Sequence, residues 1–239
     1  MKLVFTTRKV VHFLIISVLG LTFMGVAIQI SKYLLGHTYL FGLVPLFDLG
    51  TDSSIPTWYA SFTLLICTIL LGIIALAKKD ARDPFTRHWQ GLAFVFLYLS
   101  IDEVARIHEV IGDTLGRFTG ETHGLLYFTW VIYGMAFVLL LIPPYIKFLR
   151  HLPHQTTKLF VSAGIVYLGG ALGMEMVNAR HADLYGFKNL AYQLMTAFEE
   201  FLEMTGIAIF IYALMCYIAE QHPQNISIRI EKDSRRERD

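Results

Sequence analysis

The chain is 239 residues long, 55% apolar and only 16% charged, with a mean hydropathy of +0.53. Soluble globular domains carry roughly 25% charged residues, so this composition excludes a soluble domain, a disordered chain and a nucleic-acid binder. Twenty basic residues against 19 acidic ones leave the net charge near zero, and the information lies in where the charges fall.

Six apolar stretches are each long enough to cross a bilayer, which takes roughly 20 helical residues. The first, Val10–Ile30, follows Lys2, Arg8 and Lys9. It is longer than the apolar core of a signal peptide and lacks a small-residue cleavage pattern, so it reads as a retained helix. The connection 31–56 contains an apolar run, Tyr39–Phe47, interrupted by Gly42 and Pro45. Too short to span, this run is expected either to fill the interface or to fold back over the helices as a lid. The second and third spans are Thr57–Ala77 and Trp89–Glu109, and the fourth is Leu126–Ile146. The fifth, Leu159–Asn178, carries Gly169-x-x-x-Gly173, a spacing that lets helix backbones approach closely in lipid. The sixth is Leu194–Ala219, and the polar residues 221–239 read as a mobile tail. Cys67 and Cys216 fall inside apolar stretches and read as packing residues. Trp58, Trp89 and Trp130 fall near predicted interfaces, as an aromatic belt would place them.

Fifteen of the 20 Lys and Arg residues belong to the amino terminus, the second-to-third connection, the fourth-to-fifth connection and the tail. Because basic loops stay inside, both termini are expected in the cytoplasm. The expectation is an all-α, polytopic integral membrane protein of a bacterial-type plasma membrane. Residues 1–220 form one bundle of six transmembrane helices, followed by the cytoplasmic tail 221–239.

Acidic residues enter three of these helices at one depth. The third span ends Asp102-Glu103-Val104-Ala105-Arg106-Ile107-His108-Glu109, the fifth contains Glu175 and Asn178, and the sixth contains Glu199, Glu200 and Glu203. On a continuous third helix, at about 100° per residue, Asp102, Arg106 and Glu109 share a stripe about 60° wide, and His108 lies about 120° from Asp102. The same geometry turns the Gly169–Gly173 ridge more than about 100° from Glu175. Seven carboxyls therefore stand against one firm cation, Arg106. One carboxylate costs about 2.5–3.5 kcal/mol at a helix centre on insertion scales, so the layer must be protonated, hydrated or neutralised by bound cations.

Three readings follow. A divalent-cation site would draw its ligands from Glu103, His108, Glu175, Glu199 and Glu203, since carboxylate and imidazole together suit Zn, Fe or Mn. Asp102, Arg106, Glu109, Glu200 and Asn178 would pair charges around it. Such a metal would support chemistry on a lipid or small molecule at the outer leaflet. A proton- or cation-coupled transporter would use the same carboxyls without a catalytic metal, but needs polar residues continuing to the inner face. The plainest reading is of helix ends emerging into water, and it fits Glu109, His123, Arg180 and His181 best. Haem ligation by His108 and His123 would leave seven acids without a role. No phosphate-binding glycine loop, nucleophile elbow or cysteine-pair metal motif is present.

Overall fold

A computed structural model describes residues 6–51, 53–120 and 122–221. Lys2 and the polar residues from 222 on, including the Asn225-Ile226-Ser227 acceptor spacing that the tail carries, lie outside them. Every element among the described residues is helical. The order is α1 (Thr7–Leu34), α2 (Leu43–Phe47), α3 (Ile55–Asp80), α4 (Thr86–Ala105), α5 (Ile107–Thr119), α6 (Trp130–His151), α7 (His154–Leu168), α8 (Glu175–Tyr185) and α9 (Leu190–Gln221). A wide π turn, Gly169–Met174, joins α7 to α8 without interruption. Five helices are long and apolar enough to cross a membrane: α1, α3, α6, the joined α7–α8, and α9. The expected third span is not among them. Its helix, α4, ends at Ala105 instead of Glu109.

The long helix α9 packs against α1, α3, α7 and α8. Its buried face (Ile207, Phe210, Ile211, Leu214 and Tyr217) meets Leu64, Leu71, Trp89, Phe148 and Phe160 in the main core. Basic residues gather at one end of the bundle, with Lys78 and Lys79 closing α3 and Arg150 and His151 closing α6. The acidic side chains gather at the other. The bundle thus has a basic end and an acidic end.

At the acidic end the connection 35–54 forms a 3-10 turn, Leu40–Gly42, and the short helix α2. Phe41 is 97% exposed and Tyr39 and Leu46 are also exposed. Its return is pinned by the buried Asp48, which accepts from Gln29 Nε2 at 2.7 Å and from the Gly50 amide at 3.1 Å and lies 3.6 Å from Lys32 Nζ. Ser54 then caps α3 by accepting from the Thr57 amide.

The helices approach most closely at glycines other than the expected pair. A Cβ on Gly169 would meet nothing within 4 Å, and one on Gly173 only its own helix at 3.9 Å. A Cβ on Gly170 would stand 2.9 Å from the Glu199 carbonyl oxygen and 2.9 Å from Glu203 Cγ. On α9, a Cβ at Gly206 would stand 2.7 Å from the Tyr167 amide nitrogen. The intervening π turn changes the angle per residue, so faces extrapolated at α-helical pitch are misassigned. Gly206→Ala is accordingly expected to lower thermal stability by about 1–3 kcal/mol, because backbone cannot yield as a side chain can. Gly72→Ala, on α3 with nothing within 4 Å, is expected to be neutral or to gain up to about 1 kcal/mol of helix propensity. Melting curves in detergent check both signs.

Candidate functional site

The acidic layer lies on one cavity of about 1790 Å³, bounded by α4 to α9 and edged by Leu49, Gly50 and Thr51. That is larger than the ~300–1,000 Å³ of drug-sized pockets. Asp102, Glu103, Arg106, His108, Glu109, Glu175, Glu199, Glu200 and Glu203 all line it. Asn178 is fully buried behind them.

Backbone geometry at Arg106 decides where His108 goes. Arg106 is left-handed (φ 53°, ψ 40°), which ends α4 and begins α5 in a new direction. A non-glycine residue in this conformation costs about 1–2 kcal/mol. The neighbouring carboxylate offsets that strain: Asp102 accepts from the His108 amide at 2.7 Å and from His108 Nδ1 at 2.8 Å. The continuous stripe of Asp102, Arg106 and Glu109 is therefore not formed. Asp102 is brought to His108, and Arg106 Nη2 donates to Glu109 Oε2. The Arg106–Glu109 pair of that stripe survives the break, while Asp102 turns to His108.

His108 lies on α5, outside the membrane-crossing segments. Its burial works against protonation, but the hydrogen bond and charge of Asp102, with Glu109 and Glu175 beyond, outweigh it and raise its pKa above the ordinary imidazole value. With Nδ1 engaged by a carboxylate, the ring presents Nε2 as its remaining nitrogen, the arrangement found behind metal-ligating histidines.

A second chain of contacts crosses from α6 to α9. The His108 and Trp130 rings are 4.7 Å apart, and Trp130 Nε1 donates to Glu175 Oε1 at 2.8 Å. The Glu175 carboxyl is in turn a close neighbour of Glu199, and Asn178 Nδ2 donates to Glu199 Oε2. Two neighbouring carboxyls in a buried site favour a shared proton or a bridging cation over two like charges. The π turn immediately before Glu175 aims it at α9, while Gly170 admits the α9 backbone alongside.

Eight acidic side chains line the cavity, Asp113 among them, against Arg106 and Arg117. Among the described residues, however, no three His, Cys, Asp or Glu side chains gather in a group able to hold a metal ion. Glu103 and Glu203 line the cavity without belonging to such a trio.

Several participants escaped sequence reasoning. Trp130, read as an interfacial residue, holds Glu175. Tyr98, Tyr133, Tyr167 and Tyr192 add phenols to the wall. Tyr192 had a signal, because 192, 196, 199 and 203 follow the spacing of one helix face. Of the residues read as water-facing helix ends, His123 Nδ1 lies 3.2 Å from Asp183 Oδ1. His181 Nε2 lies 3.0 Å from Asn189 Oδ1, which also caps α9 by accepting from the Tyr192 amide.

A family model described as "Domain of unknown function (DUF8692)" matches residues 11–217. The match spans most of the chain, which therefore belongs to that family. No curated protein and no solved structure matches the chain.

Proposed function

We propose that this member of the DUF8692 family is a six-span membrane protein that binds a divalent cation at its acidic end and supports chemistry on a lipid or small molecule there. The observation that carries the reading is the Glu175–Glu199 carboxyl contact, whose flanks are satisfied by Trp130 and Asn178. A cation replacing the shared proton would draw on Glu203, one turn along α9, and on Glu103 and His108 across the cavity. The gathering of these side chains around an ion requires rotamer changes at the long glutamates. Asp102 would hold His108 in the tautomer that leaves Nε2 for the ion.

Counted as the sixth span, α4 runs antiparallel against α3, and its 20 residues reach about 30 Å at the helical rise. With the basic end in the cytoplasm, both termini are inside and the cavity's acidic end belongs to the outer leaflet.

The test is elemental analysis and melting of the purified protein. Divalent metal should co-purify, and adding Mn, Zn or Ca to chelator-treated protein should raise the melting temperature, since a ligand of the folded state stabilises by mass action. His108→Ala should remove that gain. His154→Ala, at the start of α7 near the basic end, should retain it. Metal-free protein whose melting ignores all three ions would sink the reading.

A further inference from the structure

We propose that the cavity takes a single-chain amphiphile with a cationic amine head, the ammonium in the acidic layer and the alkyl tail along the apolar walls below. This deepens the reading of the acidic end as a cation site and rests on it, because the head is an organic cation for the same carboxyls.

The cavity changes character along its length. Its acidic end is carboxylate-rich, whereas toward the basic end it is walled by Leu92 and Phe96 of α4, Leu141 and Phe148 of α6, and Phe160 and Phe210 of α7 and α9. An ion would have no partners there, but methylenes would. Phe210 lies eleven helical steps beyond Glu199 on α9, about 16 Å at the helical rise. One leaflet contributes about half of the ~30 Å hydrocarbon core, so the apolar portion suits one membrane-lipid chain.

Entry from lipid is provided for. Near the basic end α6 is pinned to α4, with the Tyr145 hydroxyl donating to the His88 carbonyl oxygen at 3.0 Å and the Phe148 and Trp89 rings 4.9 Å apart. Between that pin and the acidic end, Phe94 of α4 and Phe137 of α6 line the cavity while remaining exposed. A tail can therefore pass sideways from the bilayer without crossing water. Head selection follows from charge: eight acids against two arginines repel a carboxylate or phosphate head and attract an ammonium.

The test uses dodecylammonium, propylammonium and dodecanoate as probes in melting titrations of the full chain. Each methylene buried is worth roughly a factor of four in affinity, so dodecylammonium should half-saturate at least a hundredfold below propylammonium, and dodecanoate should give no saturable gain. Gly164 lines the cavity on α7, and a Cβ there meets nothing within 4 Å. Gly164→Leu should fill the tail space, weakening dodecylammonium at least tenfold while leaving the Mn response intact. Val138→Phe does the same from α6 and serves if the first variant does not fold. Dodecylammonium that binds no better than propylammonium, or is untouched by both fillings, overturns the proposal, as does dodecanoate binding equally well. A Mn gain without a dodecylammonium gain refutes this inference alone. Loss of both refutes the cation site beneath it.

Discussion

Asp102→Ala is expected to lower the stability of chelator-treated protein by about 3 kcal/mol near pH 6, one of the two largest effects of any single change in the layer. Hydrogen bonds to a charged group contribute about 1.5–3 kcal/mol each, and Asp102 accepts two, from the His108 amide and from Nδ1. Its removal also takes away the side-chain bridge across the left-handed residue Arg106, leaving the turn to its backbone bonds and the Arg106–Glu109 pair. The loss depends on pH through His108, whose pKa is raised in the folded protein against burial by Asp102 and, more distantly, by Glu109 and Glu175. A histidine with a raised folded pKa contributes its full ion-pair stability below the ordinary value near 6.5, and that contribution fades as pH climbs through the folded value. The Asp102→Ala penalty should therefore shrink between pH 6 and pH 9, down to the share owed to the amide bond. Asp102→Asn, which can still accept from that amide, should fall between wild type and alanine. Melting curves of the three proteins across this range provide the check, and a penalty that is flat or grows with pH would deny the ion pair.

Much of the architecture was legible because apolar length is a strong signal. Helices α1, α3, α6, α7–α8 and α9 lie where runs of apolar residues placed them, each extending or shifting by a few residues. The break at Arg106 was not legible. Arginine carries no preference for a left-handed turn, and the turn exists because Asp102 reaches forward six residues to His108, a tertiary-scale arrangement that no α-helical periodicity encodes. The stripe drawn through Asp102, Arg106 and Glu109 assumed an unbroken helix and failed there. The π turn misled in the same way, passing the close approach from Gly169 and Gly173 to Gly170. At the site, carboxyls in apolar sequence stood out because they are costly in lipid, so seven of the eight acids that line the cavity were singled out and Asp113, beyond the expected third span, was not. The groups that satisfy them by hydrogen bonds, Trp130 above all, look like ordinary membrane aromatics until a partner is seen.

The second large effect has the opposite sign. Glu199→Gln is expected to stabilise chelator-treated protein by about 1–4 kcal/mol at pH 8, the order found when buried ion pairs are replaced by uncharged residues of similar volume. Glu199 is 8% exposed, and its carboxyl neighbours that of Glu175. Above neutrality that pair must either keep a proton against the solvent or bear two like charges side by side. A glutamine removes the dilemma. Its amide nitrogen can donate to Glu175 and its oxygen can still accept from Asn178, so every bond is kept without a proton or a cation. The stabilisation should grow with pH, since the wild-type pair is hardest to satisfy where protons are scarce. It should come with loss of the divalent-cation gain, because the variant withdraws a charged ligand while relieving the repulsion that the ion would otherwise relieve. Such an exchange of stability for binding is the signature of a site kept strained for use. A merely structural carboxyl would give the reverse result, with the glutamine variant melting lower at every pH. Glu175→Gln should reproduce the gain from the other side of the pair. The double substitution should add little beyond either single one, because one neutral partner already removes the like-charge contact.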